Sequence, residues 1–404
     1  MRRKSGLLVV LLILTMVTGC WSSLALEKRA IVSGFGLDQA KEKGKVRVTL
    51  QIVKSGAGGR TDMGDTGGVK AKQSVLVYTG TGYTFSQALD TLVKKTGKSL
   101  FYSEAKIVVA GEAMAREGLF TVTDFFDRSR EPSTRNLLII AKGEAKEVLE
   151  TKLGEEDIWA YGIRDVVKSA MLHGYLPTSD IKDFITAVES RTTAPVVPLV
   201  KIIPNEYKNE GNQPPEQKQA VPAKEMKLLG MAVFRHYKMV GQLDERQTRG
   251  FLWVNGKEHR CITTLPIPGS EDKKAASVTI RADSKVKPEL KNGKLRIHIQ
   301  VHEEGELSEI QPDSIDMTNP ANVKEFEKLK QYAIAGEIQD AVKKAQGLNS
   351  DIFGFGEEVH RRYPREWNQL KDKWDEIFPL LEVTIKVQSK IRRTEKVTNP
   401  AMSE

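Results

Sequence analysis

Histidine and carboxylate side chains at strand spacing are the first group in this sequence that could do chemistry. His298 and His302 fall on one face of a predicted strand, and Glu303 and Glu304 stand beside them. Two imidazoles and a carboxylate are a set of ligands that can hold zinc. Apolar residues alternate with these side chains, so we expect them on the outward face of the strand as solvated polar residues. We therefore predict no metal site here.

Other patterns that would indicate an enzyme are missing from the sequence. No Gly-x-Ser-x-Gly elbow occurs, and His360 lacks the second histidine of the His-Glu-x-x-His metalloprotease motif. Gly354 and Gly356 flank Phe355 at the start of a predicted helix, where free amides can bind an anion. Such a pair of glycines more often forms a tight helix start. We therefore predict no catalytic residue, no cofactor and no enzymatic activity.

The N-terminus has the pattern of a secretory signal. Basic residues at positions 2–4 precede an apolar run from residue 6 to residue 14, and Gly19 stands directly before Cys20. That run is shorter than the roughly 20 apolar residues that a membrane span needs. Gly19-Cys20 resembles the bacterial lipobox, so we predict that residues 1–19 are a cleaved signal peptide and that Cys20 is the lipid attachment site. An uncleaved N-terminal anchor is the alternative, and either would tether the rest of the chain outside the membrane.

Cys20 and Cys261 are the only cysteines in the sequence. If Cys20 carries the lipid, no second cysteine is left to form a disulfide with Cys261, and the ectodomain folds without a disulfide. The strand pattern around Cys261 indicates a small buried residue. His259, two residues away, would share its face in a strand and is a weak signal for a reactive thiol.

Composition favours a folded exported protein near a membrane. The 404 residues are enough for two or three domains. Removal of three basic residues with the signal lowers the formal net charge from +9 to +6. This excess fits a surface near anionic lipid headgroups or an ordinary solvated surface. No basic block interleaved with aromatic residues points to nucleic acid.

Two strand patterns predict an α+β fold, a multi-domain ectodomain with mixed or antiparallel sheets covered by helices. Residues 46–52 and 381–387 alternate apolar and polar side chains, which indicates one buried and one wet face. Residues 137–141 are continuously apolar, which indicates burial on both faces. A stretch with Pro214 and little to bury breaks the pattern. The expected division is a signal peptide at 1–19, an N-terminal α/β-type domain at 21–203, a linker or long loop at 204–224, a small middle domain at 225–264 and a C-terminal α+β domain at 265–395.

Ten short segments, spread over nearly the whole chain, together resemble one known family. They are residues 19–23, 30–38, 127–131, 136–143, 230–234, 240–241, 248–250 and 351–356, the pair Trp367 and Trp374, and residues 391–394. Their types and order are similar to those of the Ger(x)C lipoproteins, the C subunits of nutrient germinant receptors in endospore-forming bacteria.

The resemblance implies a scaffold-like subunit of three α+β domains without a known catalytic role. It implies an acyl anchor (palmitate) on Cys20 and an ectodomain on the outer, non-cytoplasmic face of the spore inner membrane. Two polytopic partners, the A and B subunits, are expected, and germinant recognition is generally assigned to B. Arg128, Arg130 and Arg135 lie in a family-like loop that either contacts a partner or is simply solvated.

Two other classes of protein remain open from the sequence. A solute-binding lipoprotein of an importer has two α/β lobes that close on a ligand. The N-terminal half fits such a lobe, whereas the alternating strands of the C-terminal half fit it poorly. A cell-envelope hydrolase would need a pocket with paired titratable groups.

Overall fold

The computed structural model of the chain describes residues 28–54, 74–190, 192–205, 224–256, 260–270, 272–311 and 315–393. The predicted signal peptide with Cys20, the glycine-rich segment after residue 54 and most of the predicted linker lie outside these residues. Among the described helices, none combines the length and the apolar composition needed to cross a bilayer.

The first half of the chain builds a mixed sheet. Within the described residues it has nine strands in the order β3-β2-β1-β5-β6-β7-β8-β9, with the short β4 paired to β1. Strands β4 to β7 extend the sheet parallel to β1, whereas β2, β3, β8 and β9 join it in antiparallel pairs. The strands are β1 (Arg29–Gln39), β2 (Val46–Val53), β3 (Val75–Gly82), β4 (Ser99–Phe101), β5 (Ile107–Gly111), β6 (Leu137–Ala141), β7 (Val196–Pro204), β8 (Lys224–Arg235) and β9 (Lys238–Leu243).

Helices cover both faces of this first sheet, which is why β5 and β6 are buried at every position. On one side Phe35, Phe126 and Phe184 pack together in an apolar core. On the other side Ile139 and Leu149 belong to a second core. The helices are α1 (Phe85–Thr96), α2 (Glu112–Glu117), α3 (Phe120–Arg128), α4 (Ala145–Leu149), α5 (Trp159–Leu172) and α6 (Ile181–Glu189).

The second half of the chain builds a four-stranded sheet, in the order β10-β11-β12-β13, under a long helix. Strand β13 runs parallel to β12, and the other neighbours are antiparallel. The strands are β10 (Ile262–Pro266), β11 (Lys274–Lys291), β12 (Lys294–Ile310) and β13 (Glu382–Arg393). The helices are α7 (Glu245–Val254), α8 (Pro320–Gly347), α9 (Phe355–Arg362), α10 (Pro364–Leu370) and α11 (Trp374–Ile377).

One apolar core runs from the first sheet into the second. Ile139 of β6 and Ile299 of β12 belong to the same cluster, which also takes in Ile338 of α8. Strands β8 and β9 extend the first sheet rather than forming a sheet of their own, and α7 contacts α8. The division of the chain into domains stays a prediction.

The fold confirms the predicted mixture of helices and sheets. Asn292 and Gly293 adopt left-handed φ angles of 51° and 74° in the β11–β12 turn, as the Asn-Gly pair predicts. The two tryptophans of the C-terminal segment lie in different helices, Trp367 in α10 and Trp374 in α11. Lys373 leaves helical geometry at φ −113° and ψ 11°, so α10 and α11 are separate helices joined by a 3-10 turn.

Candidate functional site

The histidines that the sequence singled out lie on the polar face of the second sheet. One ring nitrogen of His298 lies 2.6 Å from Thr384 Oγ1, and the other lies 3.0 Å from Glu289 Oε2. His302 is exposed on the same strand. In the described part of the chain, no group of three or more His, Cys, Asp or Glu side chains could hold a metal ion.

Glu303 does not face outward, and the prediction that it does is wrong. The inward alternation of β12 continues through this residue, so its carboxylate meets Lys330 of α8 at 2.7 Å with both side chains 0% exposed. The Lys330 ammonium also donates to Ser277 Oγ, and the Ser389 hydroxyl donates to Glu303 Oε2. Neither charge can reach a solute, so the role of this pair is structural. It holds the long helix α8 on the second sheet.

The glycine pair at the start of α9 faces a carboxylate of the same chain. Asp351 accepts hydrogen bonds from the amides of Phe355 and Gly356 and from Trp374 Nε1, at 3.0, 2.8 and 3.1 Å. Complete burial raises the pKa of Asp351 to about 6, and these donors oppose the rise. The amides that could have bound an external anion are therefore already occupied.

The family-like segment at residues 248–250 joins α7 to α8. Glu337 of α8 accepts from Arg249 at 2.6 Å and from Trp253 Nε1 at 2.9 Å. Gly250 stands so close to the Glu337 backbone that a Cβ would collide with its carbonyl oxygen. This segment therefore has a structural role in bringing the two helices together.

Asp38, at the end of β1, plays a similar role. Its carboxylate accepts from the amides of Ala145 and Lys146, at 2.7 and 3.1 Å, and so caps the start of α4. Desolvation raises the pKa of Asp38 above its ordinary value, against the opposing effects of the two amides and of Arg47. Sequence reasoning missed this role, because Asp38 and Ala145 are far apart in the chain.

Cys261 and the family-like loop lie in contrasting environments. Cys261 is buried immediately before β10, as its strand pattern predicts, and His259 lies outside the described residues. Arg128, Arg130 and Arg135 are all exposed. The three guanidinium groups therefore lie where a partner could reach them.

A cleft of about 810 Å³ opens where four connections of the first sheet meet. We call it the loop cleft and define it by the β1–β2 turn (residues 40–45), Tyr83 before α1, the α2–α3 junction around Gly118, and the β8–β9 turn at His236 and Tyr237. The amide of Leu119 donates to the Tyr237 carbonyl at 2.9 Å, which ties two of these connections together.

The walls of the loop cleft are aromatic and its floor is apolar. Tyr83 and Phe120 expose 66% and 56% of their surface. The Phe120 ring meets Tyr237 edge-on at 5.1 Å, and Met114 and Val240 also line the cleft. No pattern in the sequence indicated this site, since its residues come from four distant segments.

Cationic side chains stand among these aromatic rings. Lys43, Lys45, Arg235 and Lys238 all line the loop cleft. The Lys45 ammonium lies 5.0 Å from the centre of the Tyr83 ring, a cation–π distance. The cleft thus combines an apolar floor with positive charge.

Two family models match the chain, one after the other. The N-terminal domain of spore germination proteins matches residues 22–202, and the spore germination B3/GerAC-like C-terminal domain matches residues 229–395. The arrangement defines a two-part spore germination protein. The chain belongs to the Ger(x)C family of such proteins, as the resemblance in its sequence predicted.

Individual relatives match over almost the full length. Spore germination protein KC of Bacillus subtilis (strain 168) is 28% identical over 408 residues, 98% of each chain. Spore germination protein B3 of the same organism is 20% identical and covers 97% of this chain and 98% of its own. The crystal structure of the GerBC protein matches 89% of this chain and 97% of its own with a TM-score of 0.53 at 19% identity, which establishes a shared fold.

Proposed function

We propose that this chain is the lipid-anchored, non-catalytic subunit of a spore nutrient germinant receptor. The observation that carries the proposal is the consecutive match of both family domains, behind the Gly19-Cys20 pair. In this proposal the subunit is required for the assembly and function of a receptor with two polytopic partners, the A and B subunits. Its ectodomain lies on the outer, non-cytoplasmic face of the spore inner membrane.

The proposed anchor is an acylated Cys20 at the N-terminus that remains after removal of residues 1–19. Eight residue steps separate Cys20 from Lys28, the first described residue. An extended chain spans at most ~3.5 Å per residue, so Lys28 lies within about 28 Å of the anchor, and β1 begins at the next residue. The tether is therefore short enough to keep the first sheet close to the membrane surface.

The non-catalytic role is supported by the partners of the buried carboxylates. Asp38 and Asp351 accept hydrogen bonds from the chain's own amides, Glu337 from Arg249 and Trp253, and Glu303 pairs with a buried lysine. Each of these groups is committed to a helix end or a helix contact.

Mass spectrometry of the purified chain's N-terminus tests the anchor. The expected result is a chain that begins at Cys20 and carries acyl groups. The Cys20→Ala variant should lose the acyl groups, and spores that carry it should germinate poorly with nutrients. Cys261→Ala, at the buried cysteine, is the control and should keep both the acyl groups and germination. An unacylated Cys20 in the native chain would overturn the anchor.

Affinity purification of the tagged chain from detergent-solubilised dormant-spore membranes tests the partners. Two multispanning proteins that resemble receptor A and B subunits are the expected companions. Recovery of a transporter permease and an ATPase instead would make the chain a solute-binding lipoprotein of an importer.

A further inference from the structure

We propose that the loop cleft binds a small organic anion with an apolar or aromatic body. This ligand site goes beyond the receptor role proposed above. Its size, charge and exposed rings depend neither on the anchor nor on the partners, and only its position relative to the membrane rests on the tether proposed above.

Size and construction make the loop cleft suitable for a small ligand. Its volume of about 810 Å³ falls within the range of ~300–1,000 Å³ that is typical of small-molecule sites. The edge-on contact of Phe120 with Tyr237 and the hydrogen bond from Leu119 to the Tyr237 carbonyl hold two of its walls together. A partly pre-formed site costs little ordering entropy when a ligand enters.

The charge of the loop cleft selects an anion. Four cations outnumber two acids in its lining, Lys43, Lys45, Arg235 and Lys238 against Glu42 and Glu117, which leaves a net charge of +2. Glu42 pairs with Lys45, whereas Glu117 accepts only from the uncharged amide of Gln39. Lys43, Arg235 and Lys238 make no ion pair with any described residue.

The exposed rings explain why the ligand should carry an apolar or aromatic part. Tyr83 and Phe120 present more than half of their surface to solvent, although large aromatic side chains are normally packed. A ring or an aliphatic body against these walls would cover that surface, while its carboxylate would reach Arg235 or Lys238. An inorganic anion would use the charge alone and leave the rings uncovered.

The position of the loop cleft leaves it open to solutes. Strand β1 begins at Arg29, near the proposed tether, and ends at Gln39 in the cleft wall. Ten residue steps at ~3.3 Å place the cleft about 33 Å along the strand from its start. A molecule that diffuses in from the side remote from the tether can therefore enter.

Two matched probes test the proposal, indole-3-acetate and its uncharged amide, indole-3-acetamide. Binding to the full chain in non-ionic detergent is followed by saturation-transfer NMR. We expect saturable binding of the carboxylate, at least fivefold weaker binding of the amide, and loss of the difference at high salt. The double variant Arg235→Glu/Lys238→Glu should weaken binding of the carboxylate at least tenfold. Tyr83→Ala should weaken the binding of both probes.

Lys386→Glu is the control, because Lys386 is an exposed cation on β13, far from the loop cleft in the sheet topology. Thermal unfolding confirms that each variant is folded. Equal binding of both probes, no saturable binding, or an equal loss in the control would each overturn the proposal. If the cleft variants lose the A and B subunits while neither probe binds the native chain, the cleft is a protein contact and the ligand proposal is wrong.

Discussion

The two sheets of this protein bury polar groups in different ways. In the first sheet, which is covered on both faces, strand side chains satisfy the ends of short helices. Asp38 caps α4, and Gln51 accepts from Ala160 in the first turn of α5. In the second sheet, under a helix of 28 residues, the buried polar groups form a side-chain ion pair, Lys330 with Glu303.

The difference follows from where helices begin. Neither α4 nor α5 has a capping side chain of its own at its N-cap residue, Glu144 or Ile158. Their first amides lie against the sheet and must be satisfied there. Helix α8 has its own cap, because the Asn319 side chain accepts from the amide of Ala321, so its start does not rely on a strand side chain. Thus the two short helices depend on strand side chains to satisfy their first amides, whereas the long helix α8 supplies a side chain of its own, Lys330, to a carboxylate of β12.

The largest expected effect comes from breaking the buried pair of the second sheet. Lys330→Met would leave the Glu303 carboxylate buried without its cation, which costs about 4 kcal/mol of unfolding free energy. Denaturant unfolding measures this loss. The double variant Lys330→Met/Glu303→Met should recover most of it, since an apolar pair of similar size fills the same space. If the single variant kept native stability, the second sheet would not depend on this pair.

Gly250→Ala tests the contact between α7 and α8, where the two regions meet. A methyl group would collide with the Glu337 carbonyl, so the helices must separate, at about 3 kcal/mol. Gly336→Ala is a matched control on α8, because its Cβ would come within 2.8 Å of only the mobile Arg246 Nη2. It should be near neutral or slightly stabilising. Similar losses in both variants would contradict the close backbone approach.

The Asp351→Asn variant tests whether this capping carboxyl, unlike the carboxylate of an ion pair, makes the stability of the folded protein decrease as pH rises. The folded pKa of about 6 is higher than the ordinary 3.8, so folded protein holds the proton more tightly. The contribution of the Asp351 proton to the free energy of unfolding is complete below pH 3.8. It decreases by about 3 kcal/mol as pH rises through 6.

The stability of native protein relative to Asp351→Asn should therefore fall between pH 4 and pH 6.5, in urea titrations at fixed pH values. Any cost of the substitution that does not change with pH cancels from this trend. A difference that does not change with pH would mean that Asp351 titrates normally in the folded state.

The smallest effect is expected on the polar face of the second sheet. Arg296 pairs with Glu382 at 2.8 Å, and both side chains are largely exposed. Such surface pairs contribute about 0.5 kcal/mol or less, so Arg296→Ala should barely move the unfolding midpoint. A loss comparable to that of Lys330→Met would show that this face is covered in the protein as it exists in solution.

Patterns within one element could be predicted from the sequence. The alternation of β13 gave its two faces. For β2 the prediction of one wet face is wrong, because helices cover both faces of the first sheet and Thr49 and Gln51 are buried. A signal for the buried pair was also present. Lys330 lies four residues from both Phe326 and Ile334 on the apolar stripe of α8, and Glu303 continues the inward row of β12.

Features that depend on distant segments could not be predicted. Strand β1 was missed because Gly34 and Gly36 weaken its strand pattern. Their reason lies in the packing, since a Cβ on Gly34 would come within 3.0 Å of Ala160 on α5. The cap from Asp38 to Ala145 and the loop cleft likewise join residues that no local spacing connects.

The parallel pairing of β13 with β12 delays completion of the second sheet until the long segment between these two strands has been synthesised. Residues 311–381 must all be made before Glu382 can pair with Arg296, and Ser389 reaches Glu303 only after that. A nascent chain without Glu382–Arg393 would leave β12 as an open edge beside an incompletely satisfied carboxylate. Termination before Glu382 would thus produce a molecule that is prone to pair with its neighbours through β12.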